Sequence, residues 1–130
     1  MIYLFTGQPG SGKTTLGKKL QMWLQTDKKN WRKSVFHIDS GQTENPLEVA
    51  KYLDNCGNDV VISDIFPNKE IREKFKSEHK VTEIYCHTKR MRGVENKFAL
   101  DYEPPTEYYV DLDTSDNTEN TFNKLLKIII

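Results

Sequence analysis

The residues best suited to chemistry come first in the chain. Gly7-Gln8-Pro9-Gly10-Ser11-Gly12-Lys13-Thr14, followed by Thr15, satisfies the Walker A pattern G-x-x-x-x-G-K-[ST] at every fixed position. Such a loop can cradle phosphate. Glycines let the backbone curl so that successive N–H groups converge on anionic oxygens, and the helix that follows presents its positive end. Lys13 is expected to reach the β- and γ-phosphates of ATP, and the Thr14 hydroxyl to ligate Mg²⁺. The context supports this reading over a merely flexible loop. An apolar run, Ile2 to Phe5, leads in, and a helical pattern leads out.

Two aspartates stand at the ends of apolar runs, where open α/β sheets place their reacting groups. Asp39 follows Val35-Phe36-His37-Ile38. It can ligate Mg²⁺ or accept a proton from an attacking hydroxyl, or it can simply cap a turn. Asp64 follows Val60-Val61-Ile62-Ser63, a run similar to a Walker B strand. It can hold a Mg²⁺-bound water or cap the next loop. Arg90 and Arg92 lie in the basic stretch Lys89-Arg90-Met91-Arg92-Gly93. Either can stabilise charge on a transferring phosphoryl group, or both can belong to a solvated turn. His37 reads as structural, and Trp31 as a cap on the core edge rather than a ligand platform.

Elements that position these groups follow from periodicity. Strands are expected at Ile2–Phe5, Ser34–Ile38, Asp59–Ser63, Val81–His87 and Tyr108–Leu112. A helix over Thr14–Gln25 places Leu16, Leu20, Trp23 and Leu24 on one face. A second spans Pro46–Asn55, with Pro46 at its start and Gly57 past its end. A third runs from Asn68 to His79 with Ile71 and Phe75 facing inward. The last spans Asn117–Ile128 and buries Phe122, Leu125, Leu126 and Ile129. Phe98 to Pro105 is loop, because Pro104-Pro105 bars a helix there. The alternation implies a three-layer α/β sandwich around a five-stranded parallel sheet.

Composition bounds the rest. The 130 residues suit one domain, 1–130. Lys+Arg and Asp+Glu are both 19, so no basic field is present to hold a long nucleic acid. Cys56 and Cys86 have no metal or redox spacing and are expected to be small buried hydrophobes in a reducing compartment. No signal peptide or membrane span is visible, which leads to the expectation of a soluble cytoplasmic protein.

Several segments together resemble the adenylylsulfate (APS) kinase family of P-loop kinases, as a short and divergent member. Beyond the Walker loop these are Thr43-Glu44-Asn45 with Glu48-Val49-Ala50-Lys51, Val60-Val61-Ile62-Ser63, and Ile65-Phe66-Pro67-Asn68-Lys69 with Arg72. Val81 to Cys86, then Phe98 with Asp101-Tyr102-Glu103-Pro104-Pro105, and Tyr109 to Thr114 continue the likeness in order. The resemblance implies strand order 2-3-1-4-5 and a short lid at about 89–103. It implies γ-phosphoryl transfer from MgATP to the 3′-hydroxyl of APS, and a homodimer. Asp39 is similar to the first aspartate of the family's D-G-D-N segment. Asn45 and Phe98 match an asparagine that binds the acceptor and an aromatic that stacks on its adenine. Phe66 and Arg72 fall in the segment that resembles I-S-P-Y-R and its later arginine, and Arg90 or Arg92 would serve in the lid.

The acceptor half departs from that pattern. Ser40-Gly41 follows Asp39 where the family has its second aspartate, and Gln42 stands where an arginine is usual. The arginine pair after the asparagine is missing. Each lost charge-assisted bond is worth about 1.5–3 kcal/mol toward an anion. The departures keep two alternatives in play: a kinase for another nucleotide or small metabolite, and an ATPase or ATP-binding regulatory module.

Overall fold

The computed structural model describes residues 1–26, 34–90, 93 and 95–130; Trp31 and Arg92 lie outside the described residues. Strands β1 (Ile2–Thr6), β2 (Val35–Asp39), β3 (Asp59–Ser63), β4 (Val81–His87) and β5 (Val110–Asp113) form one sheet in the order β2-β3-β1-β4-β5. Every pairing is parallel. Helices α1 (Lys13–Thr26), α2 (Pro46–Asn55), α3 (Lys69–Glu78) and α4 (Thr118–Ile129) complete the alternation. The architecture is the three-layer α/β sandwich that the sequence implies, with the strand order that the resemblance implies.

Each face of the sheet carries its own core. Phe5, Val35, Val61, Ile84, Cys86 and Leu112 pack with Leu16, Leu20 and Leu24 of α1 and Leu125 of α4. On the other face Ile2, Leu4, Ile38, Val60 and Ile62 pack with Ala50 of α2 and Phe75 of α3. β1 lies between β3 and β4 and is apolar on both faces, as a strand covered on both sides must be. Gly17 lets α1 sit close to the sheet. A Cβ there would lie 2.4 Å from Ser63 Oγ and 2.9 Å from His37 Nε2.

The register sets up the functional edge. Ser63 is level with Phe5 on one side and Asp39 on the other. The chain therefore leaves β1 into the glycine loop beside Asp39 and Asp64. His37 Nε2 lies 2.9 Å from Ser63 Oγ, which in turn donates to the carbonyl of Lys13.

Four expectations need correction. Ile71 is 52% exposed, and the inward position next to it belongs to Arg72, which is fully buried. A charged residue can take that place because Glu83, within β4, receives it. Cys56 is exposed, while Cys86 is buried as expected. β5 starts at Val110, because Tyr108 has φ 49°, in the left-handed region where a strand cannot continue. In α4, Thr121 is buried with Phe122 and Leu125, whereas Leu126 and Ile129 are only partly covered.

Candidate functional site

The glycine loop joins β1 to α1 as the motif requires. Gly7 has φ 149°, and a Cβ there would lie 2.3 Å from the Cys86 carbonyl oxygen, so no other residue fits. Gly12 has φ 88° and turns the chain into α1, whose first backbone bond runs from Leu16 N to Gly12 O at 3.0 Å. Gly10, Gly12, Lys13, Thr14 and Thr15 line a concavity of about 230 Å³.

Lys13 is 8% exposed. Its Nζ donates to Gln8 O at 2.8 Å and to Ser11 Oγ at 3.4 Å. Burial pulls its pKa below the usual 10.5, opposed by the negative charge of Asp64 and Asp39 among others. The ammonium is thus held among polar groups of its own loop with two carboxylates close enough to be felt.

Thr14 Oγ1 donates to Asp39 Oδ1 at 2.9 Å. The same oxygen accepts from Ser40 N at 2.9 Å, and Gln42 Oε1 accepts from Asp39 N at 2.9 Å. These bonds fix the carboxylate at the end of β2. Asp64 caps its own turn, accepting from Ile65 N at 2.8 Å. The hydroxyl and two carboxylates are hard oxygen donors of the kind Mg²⁺ prefers. Among the described residues no group of three or more His, Cys, Asp or Glu forms a metal cage.

Candidate acceptor residues are distributed more widely. Asn45 is exposed at the N-cap of α2 but makes no capping bond with its side chain. Phe66 is half-buried with φ 43°, unusual for a bulky residue. Phe98 is 39% exposed after the 3₁₀ turn Glu95–Lys97. Arg90 is exposed; the nearby Asp116 carboxyl is held below its usual range chiefly by bonds from Asn117 N and the Asn120 amide, with Arg90 a minor contributor.

Arg72 is the residue that the structure reassigns. Its Nε donates to Glu83 Oε2 at 2.9 Å, with both side chains 0% exposed. Its Nη1 donates to the Phe66 carbonyl and its Nη2 to that of Glu103. The guanidinium also lies 5.3 Å from the centre of the Tyr102 ring. A ligand cannot reach it in this arrangement. Arg72 instead ties β4, the β3–α3 turn and the segment ending at Glu103 into one unit.

Sequence reasoning missed the link between the glycine loop and that segment. Gln8 Nε2 donates to Ala99 O at 2.9 Å, and Ala99 N donates to Gln8 Oε1 at 2.8 Å. Tyr102 Oη lies 3.0 Å from Thr6 Oγ1, which donates to Ile65 O at 2.7 Å. Burial pushes the Tyr102 phenol up to about 12, so it stays a neutral hydroxyl. One signal was available: Glu83 is a carboxylate next to Ile84 within an interior strand, and a carboxylate buried there needs a cation.

Similar architecture occurs in solved structures. Kti12 from Chaetomium thermophilum, in complex with ADP-AlF3, matches with a TM-score of 0.64 at 15% identity, over 100% of both chains. A gluconokinase from Sinorhizobium meliloti 1021 matches at 0.58 and 12%, covering 98% of this chain and 94% of that one. Thymidylate kinase from Ehrlichia chaffeensis matches at 0.57 and 11%, over 100% and 98%. The fold is that of a P-loop kinase. No family model and no curated protein matches the sequence. No helix among the described residues is long and apolar enough to cross a membrane.

Proposed function

We propose that this chain transfers the γ-phosphoryl group of MgATP to a hydroxyl of a small acceptor. The observation that carries the reading is the 2.9 Å contact between Thr14 Oγ1 and Asp39 Oδ1, next to Lys13 on the same loop. It joins a phosphate-binding loop to a carboxylate suited to an incoming hydroxyl. The loop N–H groups and Lys13 bind the triphosphate, whose oxygens replace Gln8 O and Ser11 Oγ as partners of Nζ. Thr14, with Asp39 and Asp64 behind it, would hold Mg²⁺, which when bound would supply positive charge against the triphosphate. The acceptor oxygen bonds to the γ-phosphorus as the bridging bond to the β-phosphate breaks, and ADP leaves with that electron pair. The hydroxyl proton passes to Asp39 and then to water. Arg90, or Arg92, meets the developing charge from the lid side.

The acceptor named by the sequence resemblance is APS, which would give PAPS and ADP, with Asn45, Phe66 and Phe98 around it. A second reading changes the acceptor, and the engagement of Arg72 with Glu83 favours it, because that arginine is then not available to an anion. ADP release from MgATP, measured with and without APS, with products identified by mass, tests both. PAPS formation that is lost in Lys13→Ala supports APS as acceptor. Lys13-dependent ADP release that ignores APS moves the reading to another acceptor or to water. Absence of any turnover by folded, nucleotide-binding protein removes the phosphotransferase reading.

A further inference from the structure

A groove of about 380 Å³ opens between the start of α2 and the β3–α3 turn, lined by Glu44, Asn45, Pro46, Leu47, Phe66 and Ile71 together with Glu48. We propose that this groove seats the acceptor, and that the acceptor is an uncharged, ring-bearing alcohol rather than an anionic nucleotide. The inference rests on the phosphotransferase reading and deepens it.

Four observations carry it. The groove lies at the carboxyl edge of the sheet, where both of its walls begin: the chain reaches Asn45 from Asp39 through the turn closed by Gln42 N on Asp39 O, and reaches Phe66 from Asp64. Pro46, Leu47, Phe66 and Ile71 make its lining apolar in part, and Ile71 is 52% exposed although Arg72 next to it is buried. Phe66 holds φ 43°, a strained backbone for a bulky residue, kept in place because its carbonyl accepts from Arg72. The buried ion pair thus fixes an aromatic ring at the groove wall. Asn45, whose side chain does not cap α2, supplies an amide that can read a hydroxyl or a ring edge.

Charge decides the acceptor class. Two carboxylates, Glu44 and Glu48, border the groove, and no basic residue is among its lining. Lys51, one turn further along α2, is paired with Glu48 at 3.3 Å and Glu78 at 2.7 Å. An acceptor bearing phosphate or sulfate meets the Glu44 carboxylate here and finds no basic group in the lining, Lys51 being held by Glu48 and Glu78, whereas an uncharged ring meets apolar side chains and one amide.

The test uses the full chain saturated with Mg²⁺ and a non-hydrolysable ATP analogue, so that the glycine loop is filled. Binding of the four ribonucleosides and of their 5′-monophosphates is measured by calorimetry. At least one nucleoside is expected to bind about tenfold more tightly than its own 5′-monophosphate, the scale set by two partly screened carboxylates. Glu44→Lys with Glu48→Lys is expected to erase or reverse that ratio, with the melting temperature confirming the fold. Tighter binding of the monophosphates, no binding of any nucleoside, or a ratio indifferent to the double substitution would overturn the proposal. The phosphotransferase reading is scored separately, by ADP release from MgATP. Selective nucleoside binding without Lys13-dependent ADP release defeats that reading and leaves the groove as a binding site.

Discussion

The glycine loop and the segment from Asp64 into the start of α3 leave neighbouring strands on the same edge of the sheet, yet their polar groups are used in opposite ways. In the loop, the partners of Lys13 are neutral: a carbonyl and a hydroxyl of the same loop, both of a kind that phosphate oxygens can replace. At the start of α3, Arg72 is bonded to a buried carboxylate and two carbonyls, none of which a ligand can displace without opening the core. Both cations are nearly or fully buried. The difference lies in the partner. A cation facing replaceable neutral acceptors is poised to bind an anion, whereas a cation facing a buried carboxylate is part of the scaffold.

The sharpest way to break this comparison is to remove each cation in turn. Lys13→Ala is expected to reduce nucleotide-dependent turnover by at least about a hundredfold, the scale of losing one preorganised donor to a transferring group. The melting temperature should hold or rise, because a desolvated charge has been deleted. Arg72→Ala is expected to do the reverse: loss of about 3 kcal/mol of stability in a denaturant titration, the low end for a broken buried pair because Lys76 still holds Glu83 Oε1 at 2.7 Å. Arg72→Leu combined with Glu83→Leu should recover much of that loss. If Arg72→Ala left stability intact and instead weakened only acceptor binding, the assignment of Arg72 to the scaffold would be wrong.

The same contrast explains what could be read before the structure. The loop was legible because its work is done by the backbone and by residues adjacent in sequence; a short pattern suffices to place Gly7, Lys13 and Thr14. The sheet was legible because central parallel strands are apolar on both faces. Arg72 was read as an acceptor ligand from the resemblance, and only its partner Glu83, in the strand that follows α3, turns it into the core. Ile71 was exposed as the consequence, since neighbours along a helix cannot both face inward there. The Gln8–Ala99 bonds were invisible because they join backbone atoms, which carry no sequence signal, to an ordinary polar side chain.

A smaller effect tests how closely the loop is mounted on the sheet. Gly17→Ala places a Cβ 2.4 Å from Ser63 Oγ, the atom that bonds the Lys13 carbonyl. Overpacking of this kind costs about 1–3 kcal/mol. α1 must shift and carry Lys13 and Thr14 with it. Turnover is therefore expected to fall together with stability, measured as kcat and denaturation midpoint on the same preparation. A stability loss with unchanged kcat would show that the loop tolerates movement of its helix.

The gentlest probe of the comparison is pH, and it sets two properties of one residue against each other. Burial lowers the Lys13 pKa in the free folded chain, while the unfolded chain titrates near 10.5. Between the depressed value and 10.5 the unfolded state therefore binds more protons than the folded one, and the Lys13 contribution to stability rises with pH across that window. A bound triphosphate favours the ammonium and lifts the pKa again. Nucleotide affinity is thus complete below the depressed pKa and falls as pH rises through it, because binding must then recover a proton. Stability and affinity move in opposite directions over the same interval, which no surface lysine would produce. Subtracting the profiles of Lys13→Ala from those of the parent isolates this residue from the tyrosines and other lysines that titrate nearby. Parallel profiles, rising or falling together, would mean that the ammonium is held by the scaffold as Arg72 is, and the contrast between the two cations would disappear.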